Sequence, residues 1–370
     1  MRTGRTWRAT LLGTAVLGAM ALGARWSGLQ ADPPKSAQDS SVERGTVEGT
    51  SDRAAHLDLK TRRSIDRGYQ WLQRAIHWNG TVSTERDGQP DLACTSIVGL
   101  ALLSEGSTPR VGRYARESER VLHGVLDLIQ IRFGGPPSEV TLVQRKIGRN
   151  ADLFLAAIYL SEVYYEAPGW EREIRAALQK LVQKIGDSQG RDGTWGSDSW
   201  APILGTVLGW ESLRTASSAG LKVEGSSEKA GAALLAKLGE PPSEQESWMH
   251  AFYKEASSLR VLYSLDYRND PRFERCVQKL LDTTQSERQV FAMAGGEEYL
   301  SFYLVTECLI QNPRPAWKAW YPQVRDRLVE FQNQDGSWTG HHCITDRTFC
   351  TAAALLTLVT PQRQLSISDL

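Results

Sequence analysis

The sequence predicts an all-α chain: six helical hairpins in an inner and an outer layer, closed into an (α/α)6 toroid. Three observations predict it. From Ser64 onward apolar residues recur three and four apart, with almost no alternating strand pattern. The helices recur as pairs that start near residues 65, 118, 171, 224, 272 and 320, a repeat of about 48–53 residues. The two members of each pair also differ. The first is charged on one face, as an outer layer requires. The second is richer in Ala, Gly, Ser and Leu, whose small members let helices approach closely in an inner layer.

The pairs follow in order. IDRGYQWLQRAI, from Ile65, leads through a polar turn at Asp87-Gly88 into DLACTSIVGLALL. SERVLHGVLDLIQ, from Ser118, leads into NADLFLAAIYLSEVYY. EREIRAALQKLVQKI, from Glu171, passes RDGTWGSDS and enters APILGTVLGWESL. The fourth unit, from about Glu224, pairs KAGAALLAKL with AFYKEASSLRVLYSL, and the fifth pairs RFERCVQKLLDTT with EEYLSFYLVTECLI. The sixth joins YPQVRDRLVEFQ through NQDGSW to TFCTAAALLTL. An open solenoid needs polar end caps. The last inner helix, TAAALLTL, is as apolar as the others, so the arrangement predicted is a closed ring with repeat six covered by repeat one.

The segments outside the repeats indicate location. Arg2, Arg5 and Arg8 precede an apolar stretch at residues 10–24, with a small-residue cleavage site within it at Ala19-Met20-Ala21 and a weaker one after it at Leu29-Gln30-Ala31. The stretch is shorter than the roughly 20 residues of a membrane span. Residues 1–31 therefore read as a signal peptide, with an uncleaved N-terminal membrane anchor as the alternative. The mature chain is expected to be exported, periplasmic or extracellular. Residues 32–63 are polar, without apolar period, and read as a disordered linker; residues 64–362 form the toroid and 363–370 a C-terminal tail. Lys+Arg and Asp+Glu both number 43 among 370 residues, so no basic excess points to nucleic acid. Five cysteines are too few for a disulfide scaffold, and no CxxC pair supports a zinc ribbon.

The turns carry a second signature. Gln332-Asn333-Gln334-Asp335-Gly336-Ser337-Trp338 and Arg191-Asp192-Gly193-Thr194-Trp195 each follow an outer helix. Asp-Gly makes a tight turn, and the Trp two residues on can cover the hairpin ends. Asp192, Gly193, Trp195, Asp335, Gly336 and Trp338 are thus expected to be structural. This pattern resembles the prenyltransferase and squalene-oxidase (QW-type) repeat of the terpenoid cyclase and protein prenyltransferase superfamily, over roughly residues 64–360. The resemblance implies a toroid with a central cavity lined by the inner helices. It does not carry the activities over. The D-x-D-D motif of cyclases, the D-D-x-x-D motif of class I diphosphate sites and the G-C-G-E-Q of thioester domains are all missing from the sequence. The zinc ligands of protein prenyltransferases have no residue-by-residue match either. Gly296 to Phe302 lacks the Cys, and Cys350 stands near the place of the His.

Four candidate sites follow. His341, His342, Cys343, Asp346 and Cys350 offer several ligand types within ten residues, and Asp91 with Cys94 in repeat one echoes Asp346 with Cys350. Repeats one and six are neighbours in a closed ring, so these residues could meet as a zinc-like metal site. The alternatives are a Cys94–Cys350 disulfide, or aspartates in helix first turns beside small buried cysteines. Glu297 and Glu298, at an inner-helix start, are candidate catalytic carboxylates for work on a glycan, against simple helix N-terminal placement. Gly186-Asp187-Ser188-Gln189-Gly190 matches G-x-S-x-G but follows a helix rather than a strand and is set aside. Trp200, Trp210, Trp248, Phe252, Tyr253, Tyr299, Phe302, Tyr303 and Phe349 are candidate cavity-lining aromatics, or core.

The sequence reading is therefore an exported repeat protein that binds or scaffolds through the central cavity or one end of the ring. The partner would be an apolar small molecule, a glycan or a protein. No cofactor is predicted beyond the zinc-like alternative. The second reading is an enzyme, a polysaccharide lyase or hydrolase or a divergent isoprenoid cyclase or transferase.

Overall fold

The computed structural model describes residues 57–84, 88–135, 139–223, 225–238, 248–311 and 315–362. The signal or anchor segment, most of the expected linker, Asp87 and the tail lie outside the described residues, as does the side chain of Trp248. In chain order the helices are α1 (Leu59–Ala75), α2 (Leu92–Glu105), α3 (Ala115–Gly134), α4 (Leu142–Ile147) and α5 (Ala151–Val163). Next come α6 (Glu171–Asp187), α7 (Pro202–Ser218), α8 (Ser226–Lys237), α9 (Trp248–Ser264) and α10 (Pro271–Ser286). The last are α11 (Gln289–Ala292), α12 (Gly296–Ile310), α13 (Pro315–Glu330) and α14 (Arg347–Val359). No described helix is long and apolar enough to cross a membrane.

Six of these helices form an inner ring. α2 packs on α5, α5 on α7, α7 on α9, α9 on α12, α12 on α14, and α14 packs back on α2. The outer helices α1, α3, α6, α8, α10 and α13 each pack chiefly on the inner helix that comes before them around the ring, α1 on α14, α3 on α2, α6 on α5, α8 on α7, α10 on α9 and α13 on α12, which makes the (α/α)6 toroid. The first helix starts earlier than the sequence predicts. The Asp58 carboxylate accepts from Thr61 N at 2.7 Å, Leu57 is buried, and helix replaces the linker expected up to residue 63.

The Asp-Gly-x-Trp turns show how closure is encoded. In each, the Asp carboxylate accepts from the backbone N–H two residues on, Ser337 at 3.1 Å and Thr194 at 3.1 Å. Gly336 sits at φ +98°, where a Cβ would press on the Arg67 carbonyl. The buried indoles of Trp338 and Trp195 donate to Leu328 O at 2.7 Å and Ile185 O at 2.9 Å of the preceding outer helix. Each Trp backbone N–H then donates to a threonine of the following inner helix, Thr351 at 2.9 Å and Thr206 at 3.2 Å. The glutamine before each turn reaches onward. Gln189 donates to Ser226 O at the start of the next outer helix, and Gln332 donates to Ser64 O in the first one, 2.9 and 2.8 Å respectively. The tie that joins repeat three to repeat four therefore joins repeat six to repeat one.

The central space expected as a cavity is filled with side chains in the described residues. All fifteen residues of α12 are buried, so it exposes no face to an open channel. Phe302 lies 5.4 Å from Phe252 and 4.9 Å from Phe291, ring centre to ring centre. A buried charge network joins three inner helices: Arg260 on α9 bridges Glu211 on α7 (3.1 Å) and Glu307 on α12 (3.5 Å).

Candidate functional site

Every hairpin runs outer to inner, so the six inner helices are parallel and begin at the same end of the ring. Two connections meet over that end. One is α4, capped by Thr141 with Gln144 in a capping box and seated by Ala201 N–H donating to Lys146 O at 2.8 Å. The other is the roof segment Thr339–Asp346. Its His341 N–H donates to Ala294 O at 2.9 Å, and Gly296 N–H donates to Ile344 O at 2.9 Å. The two glycines at the start of α12 permit this approach: a Cβ on Gly295 would lie 2.6 Å from His342 O, and one on Gly296 2.6 Å from Ile344 Cγ2.

These contacts assemble five polar side chains. Lys146 Nζ lies 3.1 Å from Glu297 Oε1 and 3.6 Å from Cys343 Sγ. His342 stands between two carboxylates, with Nδ1 3.2 Å from Glu297 and Nε2 3.0 Å from Glu298. Lys146 comes from the connection into α5 and Glu297 from α12. Those helices stand three places apart in a six-membered ring, so the cluster lies on the ring axis. Lys146 Nζ also sits 5.0 Å over the Tyr253 ring. Cys343 holds φ +50°, an unusual conformation for a residue other than glycine.

Burial sets the energetics. Glu297 and Glu298 are both 0% exposed. Glu298 Oε2 accepts from Gly295 N at 2.7 Å, but Glu298 Oε1 and both Glu297 oxygens lack a hydrogen bond of good geometry. Their contacts to Lys146 and His342 are short but poorly aligned. Burial pushes the Glu297 carboxyl up, and His342 and Lys146 outweigh it and leave it below the usual range. Burial pushes Glu298 up as well, and the charge of Glu297 adds to this, so Glu298 ends above its usual value. His342 is pushed up to about 12 by Cys343 first, then by the two glutamates. The oxygen of Glu297, a ring nitrogen of His342 and the sulfur of Cys343 all lie within 4.8 Å of one another. Bonds to zinc of about 2.0–2.3 Å place tetrahedral ligands roughly 3.3–3.8 Å apart, so a small contraction would bring these three into register.

The structure thus redistributes the residues singled out from sequence. His342 and Cys343 join Glu297 and Glu298, two candidates read separately. His341 is exposed. Asp346 and Asp91 are N-caps of α14 and α2, accepting from Thr348 N at 2.9 Å and Cys94 N at 2.7 Å. The seam between repeats six and one does form: Cys94 Sγ donates to Asp346 Oδ1 at 3.6 Å. The Cys94–Cys350 disulfide is corrected, since all five cysteines are free thiols and Cys350 Sγ donates to Ile344 O instead. The aromatic set divides. Trp210, Phe252, Tyr253, Tyr299, Phe302, Tyr303 and Phe349 are buried in the core, whereas Trp200 is 57% exposed. Lys146 escaped the sequence reading because a lysine in a short polar segment gives no sign of burial. Ser188 closes α6 by donating to Ile185 O at 2.8 Å, as its helical context predicted.

No family model matches the chain, and no curated protein does either. Solved structures do. The GH76 α-1,6-mannanase of Salegentibacter sp. HEL1_6, in an inactive variant bound to α-1,6-mannotetrose, is similar over 82% of this chain and 99% of its own, with a TM-score of 0.56 and 11% identity. The same enzyme bound to α-1,6-mannotriose gives a TM-score of 0.54 at 10% identity, over 81% of this chain and 98% of its own. The type II terpene cyclase MstE of Scytonema, without ligand, is similar over 81% of this chain and 98% of its own, with a TM-score of 0.50 and 15% identity. At these identities the likeness establishes the α/α-toroid fold and nothing of the chemistry.

Proposed function

We propose that the axial cluster is a zinc-class metal centre of the catalytic kind, and that the chain is an exported enzyme rather than a scaffold. One observation carries the reading. A fully buried carboxylate, Glu297, has one oxygen without a hydrogen bond and the other in poorly aligned ion pairs to Lys146 and His342, and it converges with an imidazole nitrogen and a thiol sulfur within 4.8 Å. Most buried polar atoms in native proteins are hydrogen-bonded, and an exception calls for an explanation such as a bound ion. Oxygen, nitrogen and sulfur ligands together suit a borderline ion such as zinc. Three protein ligands leave a fourth position for water or substrate, and a zinc-bound water ionises near neutral pH. Glu298, held beside His342, is placed to take a proton. Lys146 is placed to steady negative charge.

The two other enzyme readings have less support. The mannanase neighbours bind α-1,6-linked mannose oligomers, but Glu297 and Glu298 are both fully buried. A glycosidase needs its carboxylates against the sugar. The terpene cyclase likeness lacks the D-x-D-D motif here. The filled ring interior gives a cavity-binding scaffold little support. Export rests on the arginine-flanked apolar stretch at residues 10–24.

The test is metal content and spectroscopy on the purified chain. About one zinc per chain by native mass spectrometry is expected, removed by chelation. Cobalt in its place should give a thiolate charge-transfer band that vanishes in Cys343→Ser and weakens in Glu297→Gln. A folded wild-type chain that neither retains nor takes up zinc would sink the reading.

A further inference from the structure

The axial cluster sets a thiol beside an amine. Lys146 Nζ donates to Cys343 Sγ at 3.6 Å. Cys343 differs from the other four cysteines. Cys94, Cys276, Cys308 and Cys350 are buried, and burial pushes each of their thiols up, away from the reactive thiolate. Cys343 alone is partly exposed. The roof fixes its place, since His341 N–H donates to Ala294 O and Ile344 O accepts from Gly296 N–H, each at 2.9 Å. Its φ of +50° is a strained conformation for a residue other than glycine. Lys146 is fixed as well. Its side chain is 3% exposed, and Glu297 Oε1 lies 3.1 Å from the amine. The nearest buried thiol along the chain, Cys350, donates to Ile344 O instead.

We propose that Cys343 and Lys146 are an oxidative modification site, joined by a sulfur–nitrogen bond after hydrogen peroxide has oxidised the thiol. The bond itself depends only on this geometry; its effect on metal rests on the zinc reading above. In the first step the Cys343 sulfur attacks the peroxide. An S–O bond forms and the O–O bond breaks, so sulfur is oxidised to the sulfenic acid and the peroxide is reduced to water. In the second step Lys146 passes one proton to Glu297 Oε1. The freed lone pair attacks sulfur, the S–N bond forms and the S–O bond breaks. Hydroxide leaves and takes a second amine proton, giving water. Sulfenic acids condense in this way with thiols and with backbone nitrogen; here the nitrogen set beside the sulfur is that of a side chain. The product takes the thiolate out of the metal's ligand set, ties α4 to the roof and shields the sulfur from irreversible oxidation.

Treatment of the chelated full chain with hydrogen peroxide, followed by peptide mass mapping without reductant, tests this. One linked peptide pair is expected, containing Lys146 and Cys343, with a mass about 2 Da below the sum of its parts. Dithiothreitol should separate it. The linked protein should lose zinc uptake and regain it on reduction, and zinc bound beforehand should slow the linkage. Lys146→Met should form no link and should instead hold a sulfenic acid at Cys343, about 16 Da heavier. The wild-type map carries the test if that variant folds poorly. A wild-type map with no Lys146–Cys343 link overturns the proposal, whether it shows intact thiols, a Cys343–Cys350 disulfide or sulfinic acid at Cys343. A chain that forms the link but never takes up zinc supports the modification and sinks the metal reading alone.

Discussion

Replacing Lys146 by Met tests the electrostatics of the axial site. The ammonium lies 3.1 Å from Glu297 Oε1, with the two side chains 3% and 0% exposed. Removing one partner of a buried pair costs about 3–5 kcal/mol, because a buried charge is left uncompensated. His342 remains 3.2 Å from the same oxygen, so the cost should fall at the lower end, about 3 kcal/mol, in the presence of chelator. Zinc should reverse the order. Two unit positive charges about 4 Å apart repel by up to roughly 4 kcal/mol at an effective dielectric of about 20. The variant, freed of that repulsion, should bind zinc at least about ten-fold more tightly than the wild type. Urea unfolding with chelator and with saturating zinc measures both effects. A chelator-state loss under about 1 kcal/mol, or equal zinc affinity in the two proteins, would refute the reasoning.

Three further outcomes are expected. Trp338→Ala should destabilise by about 3–5 kcal/mol, read by chemical denaturation, because the indole is wholly buried and its N–H donates to Leu328 O; an unchanged midpoint would deny it the closing role. Gly205→Ala should tighten zinc binding without touching a ligand, in the same direction as Lys146→Met, since its Cβ would lie 2.1 Å from Ile147 O and push α4, with Lys146, off the axis; unaltered zinc affinity would count against α4 as the positioning element. Asp91 is pushed up to about 6 by burial, with the charges of Asp152 and Asp346 adding to it. The folded state therefore holds its proton more tightly than the unfolded state. The stability this contributes is full below about pH 4 and is lost as pH rises through about 6. Asp91→Asn keeps a capping oxygen and should flatten that part of the pH–stability curve; an unchanged slope would remove Asp91 from the account.

Much of the fold is legible in the sequence because its signals are local. The DGTW and DGSW turns are set by four residues each, and the Ala-, Gly- and Leu-rich inner helices are recognisable by their lack of a polar face. The boundaries move where a cap outweighs composition, as at Asp58. The helix α4 is six residues long, too short to show a period, so its crossing of the ring end is invisible beforehand. The site is legible only in pieces. Glu297-Glu298 and His342-Cys343 each stand out, yet nothing local says that they meet. Their meeting depends on two backbone pairings, His341 to Ala294 and Ile344 to Gly296, made by a segment without regular structure. The echo of Asp91-Cys94 in Asp346-Cys350 is a real seam, but it serves helix capping and packing.

The position of the cluster follows from the topology. Six parallel inner helices bring six N-termini to one end, and each carries a partial positive charge from its unpaired N–H groups. Carboxylates are favoured there, and Asp91, Asp152, Glu297, Glu298 and Asp346 all occupy that end, buried. Capping absorbs Asp91 and Asp346, and Arg132 pairs with Asp152 at 2.8 Å. That leaves Glu297 and Glu298, both at the start of α12, where two glycines admit the roof. Two adjacent buried carboxylates cannot stay charged without cations. The chain supplies Lys146 from across the axis and His342 from above, with a thiol between them. A ring that only needed closing would require none of these, since the turn tryptophans and glutamines already close it. The axial cations answer a charge that the fold concentrates, and a metal ion at that point would have to take the place of the proton on His342, since imidazole binds metal only in its neutral form.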